Sequence, residues 1–346
     1  MRHTASEASE RKRATVRSDF AQYHIREFPD TTPFSWRSWM RMHEKLQTCH
    51  APTAETSFLT LWCWYGGSAI SLSRLGSYYL VIHGDKITAT LLGGGGFEKS
   101  ELPLFHRILR QCNLRFVPED TARALEYGLQ EDGQFGIFRL KPERDQFDYV
   151  YELDQLATLY GGRLAKKRKR AQEFSRGNRI EVVMKSLRSP GSHDAIMNVF
   201  ARWESTKRHV DYAAAAKERD GVRSWPMSEP GLEEVRCVIL LVNGQPAGIS
   251  VIEPSWNSTW IGVLFKVDLT IPGAGEYLRQ ESARLLLSLE VQPRPQFLNA
   301  QQDMGVEGLR HAKLAYQPCW LERKYAVARV TGEDSQELHE GEINLC

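Results

Sequence analysis

The chain has no CxxC pair and no His/Cys spacing of the zinc type, and its cysteines (Cys49, Cys63, Cys112, Cys237, Cys319 and Cys346) lie far apart. That scatter argues against a disulfide framework and against a zinc site. No apolar run approaches the roughly 20 residues that a bilayer-spanning helix needs. The opening MRHTASEASERKR also lacks the apolar core of a secretory signal. The expectation is a cytoplasmic protein with no integral membrane segment. Neither GxSxG nor HExxH occurs, which leaves hydrolase and metalloprotease chemistry without a motif. The glycine run Gly93 to Gly96 is not followed by Lys-Ser or Lys-Thr, so it reads as a flexible turn and not as a phosphate loop. His83, His193 and His209 stand alone and read as surface or satisfied core residues. Charge of neither sign dominates: 45 Lys+Arg against 43 Asp+Glu leave any polyanion-binding surface to uneven placement.

What is present is ordinary globular composition, 42% hydrophobic and 25% charged over 346 residues, enough for two compact lobes. Residues 1–17 read as a frayed terminus, and Phe34 to Leu46 as a helix. Phe58 to Trp64, Tyr78 to His83 and Lys86 to Leu92 are rich in aromatic and β-branched residues and predict strands of a meander. Leu102 to Cys112 and Thr121 to Gly128 have helical spacing, alternating with short strands at Leu114 to Val117 and Phe135 to Phe138. A second series follows: strand Ile180 to Met184, helix Ser192 to Lys207, two strands joined at Asn243-Gly244, and strand Thr259 to Val267. Helix Gly275 to Leu289, a strand at Phe297 to Asn299 and helix Val306 to Ala312 complete it. The predicted class is α+β, with an N-terminal lobe at 18–147, a basic connecting helix at 148–176 and a C-terminal lobe at 177–330. The acidic tail 331–346 is expected to be disordered.

Three stretches carry chemistry. Gly161 to Phe174 sets Arg163 above Lys167 and Lys166 above Arg170, like charges at i,i+4 that an anion between them would relieve. RNA phosphates fit that need, and a solvated helix face is the alternative. Pro272-Gly-Ala-Gly before a helix resembles a pyrophosphate-binding turn, but it lacks the preceding basic residue of CoA-binding acetyltransferases; a tight turn with no ligand is the alternative. Asp303 to Pro318 crowds Asp303, Arg310 and Lys313 around a predicted helix, where spacing alone fits surface charge with Asp303 as an N-terminal cap.

Asp148-Tyr-Val-Tyr, Leu156 to Arg168, Phe265-Lys-Val-Asp and Asn299 to Pro318 together resemble the phosphatidylglycerol lysyltransferase C-terminal domain family, over about Phe34 to Tyr325. The resemblance implies two tandem GNAT-like lobes joined by the basic helix, related to the Fem peptidyltransferases. It implies aminoacyl-tRNA as donor and no cofactor. The acceptor it implies is a lipid headgroup or, in soluble relatives from antibiotic pathways, a small hydroxylamine that receives a seryl group. A diffusible acceptor is the expectation here, and a CoA-dependent N-acyltransferase is the alternative. Matched by position, Arg163, Lys166, Lys167, Arg168, Lys169 and Arg170 would meet the tRNA, and Lys266, Arg310, Asn299 and Tyr316 would bind substrate. Lys313 would face the oxyanion, and Asp303 would orient the donor ammonium or accept a proton. Two departures remove charge: Phe265 stands where relatives usually have glutamate, and Ala300-Gln301 where they usually have Arg-Glu.

Overall fold

One succession of elements occurs twice along the chain: strand, two helices, three strands, helix, strand, helix, strand. The structure is a computed structural model and describes residues 24–47, 52–84, 88–93, 99–131, 138–207 and 212–329. The expectations for residues 1–17, Gly94 to Gly96, Phe135 to Ile137, His209 and the tail 331–346 lie outside the described residues. The first round comprises β1 (Thr32–Pro33), α1 (Trp36–Leu46), α2 (Phe58–Tyr65), β2 (Ser71–Leu75), β3 (Tyr78–Ile82) and β4 (Thr88–Gly93). It closes with α3 (Leu102–Leu109), β5 (Asn113–Pro118), α4 (Glu119–Glu131) and β6 (Phe138–Pro142). Then come β7 (Asp148–Glu152), α5 (Leu153–Thr158) and α6 (Ala165–Gly177). The second round is β8 (Ile180–Ser186), α7 (Ser192–Thr206), α8 (Tyr212–Arg223), β9 (Arg236–Val242), β10 (Gln245–Pro254), β11 (Thr259–Val267), α9 (Ala274–Leu287), β12 (Phe297–Asn299), α10 (Glu307–Leu314) and β13 (Trp320–Glu322). The last strand is β14 (Lys324–Arg329).

The sheets run β1-β2-β3-β4-β5-β14-β6 and β8-β9-β10-β11-β12-β7-β13. In each, one parallel pair, β4 with β5 or β11 with β12, interrupts antiparallel pairing, and the helix between its strands supplies the crossover that a parallel pair requires. This is the arrangement of a GNAT-type lobe, and the chain carries two. In both sheets the sixth strand comes from outside its own round. One compact unit comprises residues up to His50, Ser68–Glu143 and Lys324 onward, and the other Ala51–Gly67 and Arg144–Arg323. The basic segment expected as a connector therefore sits inside the second unit, where Phe174 of α6 shares a core with Val238, Leu240, Ala274 and Leu278.

The Asn243-Gly244 hairpin is as predicted, with both residues at positive φ, 52° and 78°. Phe58 to Trp64, expected as a strand, lies in the helix Phe58–Tyr65. Phe58, Leu59, Leu61 and Cys63 are all buried, and a helix covered on every side loses the one-sided period that separates it from a buried strand. Its start is fixed by Ser57, whose hydroxyl accepts from the Thr60 N–H at 3.0 Å. The buried Glu253 carboxylate caps it from another strand, accepting from the Phe58 N–H at 2.8 Å, the Leu59 N–H at 3.1 Å and the Ser57 hydroxyl at 2.7 Å.

Candidate active site

The pairing of β11 with β12 stops at Ile261 opposite Asn299, yet β11 runs on to Val267. Strand β12 ends there, leaving main-chain groups of β11 on that side to find other partners. Gln301 supplies one: its amide donates to the carbonyl of Gly262 at 2.9 Å and to the Thr60 hydroxyl at 3.0 Å. Asn299, expected to bind substrate, is buried and structural. Its amide donates to the Pro52 carbonyl and to Asp148, both at 3.0 Å, and its oxygen accepts from the Gln301 N–H.

The loop beyond β12 is held by two charges. Asp303 is completely buried and accepts from Arg310 through both oxygens at 2.9 Å, from the Tyr149 hydroxyl at 2.5 Å, from Arg144 at 3.2 Å and from the Gly305 N–H at 2.9 Å. Burial pushes its carboxyl up, but these donors outweigh it and hold the group at about 2. Arg310 also donates to Asp145 at 2.5 Å, and that ion pairing raises the guanidinium further. Asp303 does not cap α10, whose N-cap is Val306. Lys313 donates to the carbonyls of Ala300 at 2.5 Å, Gln301 at 3.0 Å and Gln302 at 2.8 Å, so its three N–H groups clamp the loop that follows β12. Neither charge stands free toward a substrate. Both fix the backbone of the 300–305 loop.

Adjacent residues of a strand face opposite ways, and β11 uses this to divide the expected residues. On the α9 face, the Arg279 guanidinium lies 4.3 Å from the Phe265 ring centroid and 4.7 Å from that of Tyr316, while Lys167 Nζ is 4.1 Å from Tyr316. Arg279 thus supplies the positive charge over Phe265, where a glutamate was expected from relatives. On the other face Lys266 pairs with Glu218 at 2.8 Å and lies 3.9 Å from the Trp203 centroid and 5.2 Å from that of Phe200. Lys266 and Tyr316 therefore do not meet in one cluster.

The basic helix also divides. Arg168 turns inward, donating to the carbonyls of Leu159 at 2.5 Å and Gly161 at 3.4 Å. Lys167 is half-buried, and burial pulls its ammonium below the ordinary lysine range. Arg163, Lys166, Lys169 and Arg170 are exposed; Arg163 touches Gln317 at 3.0 Å, Lys169 touches Glu173 at 3.7 Å and Arg170 touches Glu276 at 3.3 Å. Sequence reasoning missed Arg279, Arg144, Tyr149 and Glu253, which only the fold brings to these clusters.

The Pro272-Gly-Ala-Gly turn is covered from within the chain. A Cβ on Gly273, whose φ is 83°, would lie 2.6 Å from the Arg170 carbonyl oxygen and 2.9 Å from the Phe174 Cβ. Helix α6 packs against that glycine, and a cavity of about 200 Å³ opens beside it between Arg170, Glu173, Asn178 and Pro272. Isolated His193 and His83 are structural, bonded to the Val222 carbonyl and the Thr90 hydroxyl, both at 3.2 Å.

The two seven-stranded sheets, each with one parallel pair and its crossover helix, define two lobes of GNAT-type fold. The family model described as phosphatidylglycerol lysyltransferase, C-terminal, matches residues 47–328, and the chain belongs to that family. No curated protein matches the chain. A conserved protein of unknown function from Bacteroides thetaiotaomicron is similar in structure at a TM-score of 0.73 and 20% identity, over 87% of this chain and 99% of that one. The structure of L-PGS from Bacillus licheniformis is similar at 0.56 and 12% identity, over 92% of this chain and 98% of that one. Among the described residues no helix is long and apolar enough to cross a membrane, and no group of His, Cys, Asp and Glu is placed to hold a metal ion.

Proposed function

We propose that the protein moves an amino acid from the 3′-end ester of an aminoacyl-tRNA to the hydroxyl or amine of a small-molecule acceptor. The supporting observation is the basic face beside the Gly273 turn: α6 packs against Gly273 and carries Lys166 and Lys169 exposed, with Arg163 exposed in the turn just before it. The ester is already activated. The acceptor oxygen or nitrogen attacks its carbonyl carbon, a tetrahedral oxyanion forms, and the ribose oxygen leaves with the proton the acceptor gives up.

In this reading Asp303 stays anionic at neutral pH and acts through Tyr149 and Arg310, a positioning role in place of proton acceptance. Lys313 likewise positions the 300–302 backbone beyond the end of β12. Arg279 and Lys167, partly exposed over the buried Tyr316 ring, offer the donor a cationic surface. A lipid headgroup as acceptor is the second reading, favoured by family membership and by exposed Met304, Val306 and Leu314 around α10.

The test is incubation with a charged total-tRNA pool, adding either a native metabolite extract or phosphatidylglycerol vesicles, and following aminoacyl esters and products by mass spectrometry. Loss of one aminoacyl ester only with the extract supports the first reading, and loss only with vesicles supports the second. Full retention of every ester, with binding of acetyl-CoA, sinks both.

A further inference from the structure

We infer that Tyr160 is a stacking platform for the unpaired 3′ end of the donor RNA and that Arg168 is the residue that positions it. This rests on the reading above that an aminoacyl-tRNA is the donor. Tyr160 is 82% exposed, more than any other exposed large hydrophobic among the described residues. Its ring is bare while the backbone around it is stiff. Leu159 before it is fully buried at φ 50°, and Gly161 after it has φ 98°, a conformation that favours glycine. Arg168 donates to the carbonyls on both sides of Tyr160, and the Tyr160 N–H donates to the Thr158 hydroxyl at 3.4 Å. A guanidinium from the basic helix is thus spent on fixing one turn, where a solvated helix face would leave it in water.

The surroundings choose the ligand. Gly161 and Gly162 have nothing within 4 Å of where a side chain would start, so the turn is open to close approach. Arg163, Lys166 and Lys169 follow within nine residues and are exposed. The chain geometry keeps the Arg163 Cα within roughly 11 Å of that of Tyr160. An exposed aromatic ring beside fixed cations is the pairing that takes a single-stranded nucleic acid, bases on the ring and phosphates on the cations. Glu152 and Asp154 line an open groove with Tyr160, Gln155 and Thr158, of about 450 Å³. Those carboxylates repel phosphates and direct them to the helix side of the ring. An anionic membrane surface would meet the same repulsion without gaining the base stack, which is why the RNA end is preferred.

The experiment measures binding of the full chain to deacylated tRNA and to the same tRNA trimmed of its unpaired 3′ nucleotides. Tyr160 is exposed, so its variants keep the fold. Tyr160→Ala is expected to weaken binding of intact tRNA by on the order of 10-fold or more, with trimmed tRNA bound as by the wild type. Tyr160→Phe should match the wild type, because the ring face does the stacking. Arg168→Met, which donates to neither carbonyl, should weaken binding of intact tRNA only. Wild-type affinity of Tyr160→Ala for intact tRNA overturns the inference, as does an equal loss on both RNAs. Loss of binding to phosphatidylglycerol vesicles with tRNA affinity untouched overturns it too and makes the turn a membrane contact. If the wild type itself shows no salt-dependent affinity for tRNA, the donor assignment fails and this inference with it; a wild type that binds tRNA beside an unaltered Tyr160→Ala variant sinks this inference alone.

Discussion

At the scale of single residues, the site is governed by two carboxylates shifted in opposite directions. Asp303 is held at about 2, below its ordinary 3.8, so the ionised form is favoured in the fold. Its contribution is present above 3.8 and is lost as pH falls through 2. Glu253, fully buried with hydrogen-bond donors but no cation bonded to it, is pushed up to about 7 from 4.5 by burial, against the pull of its three donors. Protonation of Glu253 therefore favours the fold, and its contribution is complete below 4.5 and lost as pH rises through 7. Thermal melts across pH should show Glu253→Gln flattening the decline between 4.5 and 7, and Asp303→Asn removing the acid limb. A Glu253→Gln profile parallel to the wild type would show that this carboxylate does not titrate in that window. Lys313→Met separates two roles for the lysine. A clamp on the loop predicts a stability loss of roughly 1–3 kcal/mol together with lost turnover, because carbonyls are left unpaired. A free oxyanion donor predicts lost turnover at unchanged melting temperature.

At the scale of elements, the close packing of α6 on the Gly273 turn makes its own prediction. Gly273→Ala places a Cβ at positive φ and against the Arg170 carbonyl, costing at least about 1–2 kcal/mol. It should lower the melting temperature and also weaken tRNA binding by shifting the helix. Lys166→Ala with Lys169→Ala should leave stability alone and flatten the dependence of log K on log salt, each lost phosphate contact removing about 0.7–0.9 from the slope. An unchanged slope would remove this face from the RNA surface. Much of the element pattern was legible. Asn243-Gly244 announces its turn by chemistry alone, whereas of the stretch expected as one basic helix over 148–176 only Leu153–Thr158 and the part from Ala165 onward are α-helical, Asp148–Glu152 being strand β7. Helix α2 was not legible, because the group that starts it, Glu253, lies 195 residues from Phe58 and a helix buried all round shows no period. The same distance hides the site. Spacing puts Asp303 near Arg310, but that Tyr149 and Arg144 complete the cage, or that Lys313 spends its protons on carbonyls, follows only from the β7–β12 pairing.

At the scale of the whole molecule, the duplicated element order explains two lobes, and the strand orders explain why neither is one continuous stretch of chain. Strand β14 lies between β5 and β6, paired with both, while β7 lies between β12 and β13. Strands as short as Asp148–Glu152 and Lys324–Arg329 carry too little pattern for their partners to be read from sequence. Cutting the chain after Arg323 removes β14, which strips ladder hydrogen bonds from β5 and β6 and takes the fully buried Val327 out of the first core. That variant should lose cooperative melting. A fragment of 144–323 is expected to fail for a different reason. It lacks Ala51–Gly67, so Glu253 loses the Ser57, Phe58 and Leu59 donors and Asp148 loses the Ala54 N–H at 2.7 Å, leaving two buried carboxylates short of partners. Adding a 51–67 peptide in trans should restore part of its melting transition, and a fragment that melts cooperatively without the peptide would show that the inserted segment is not required.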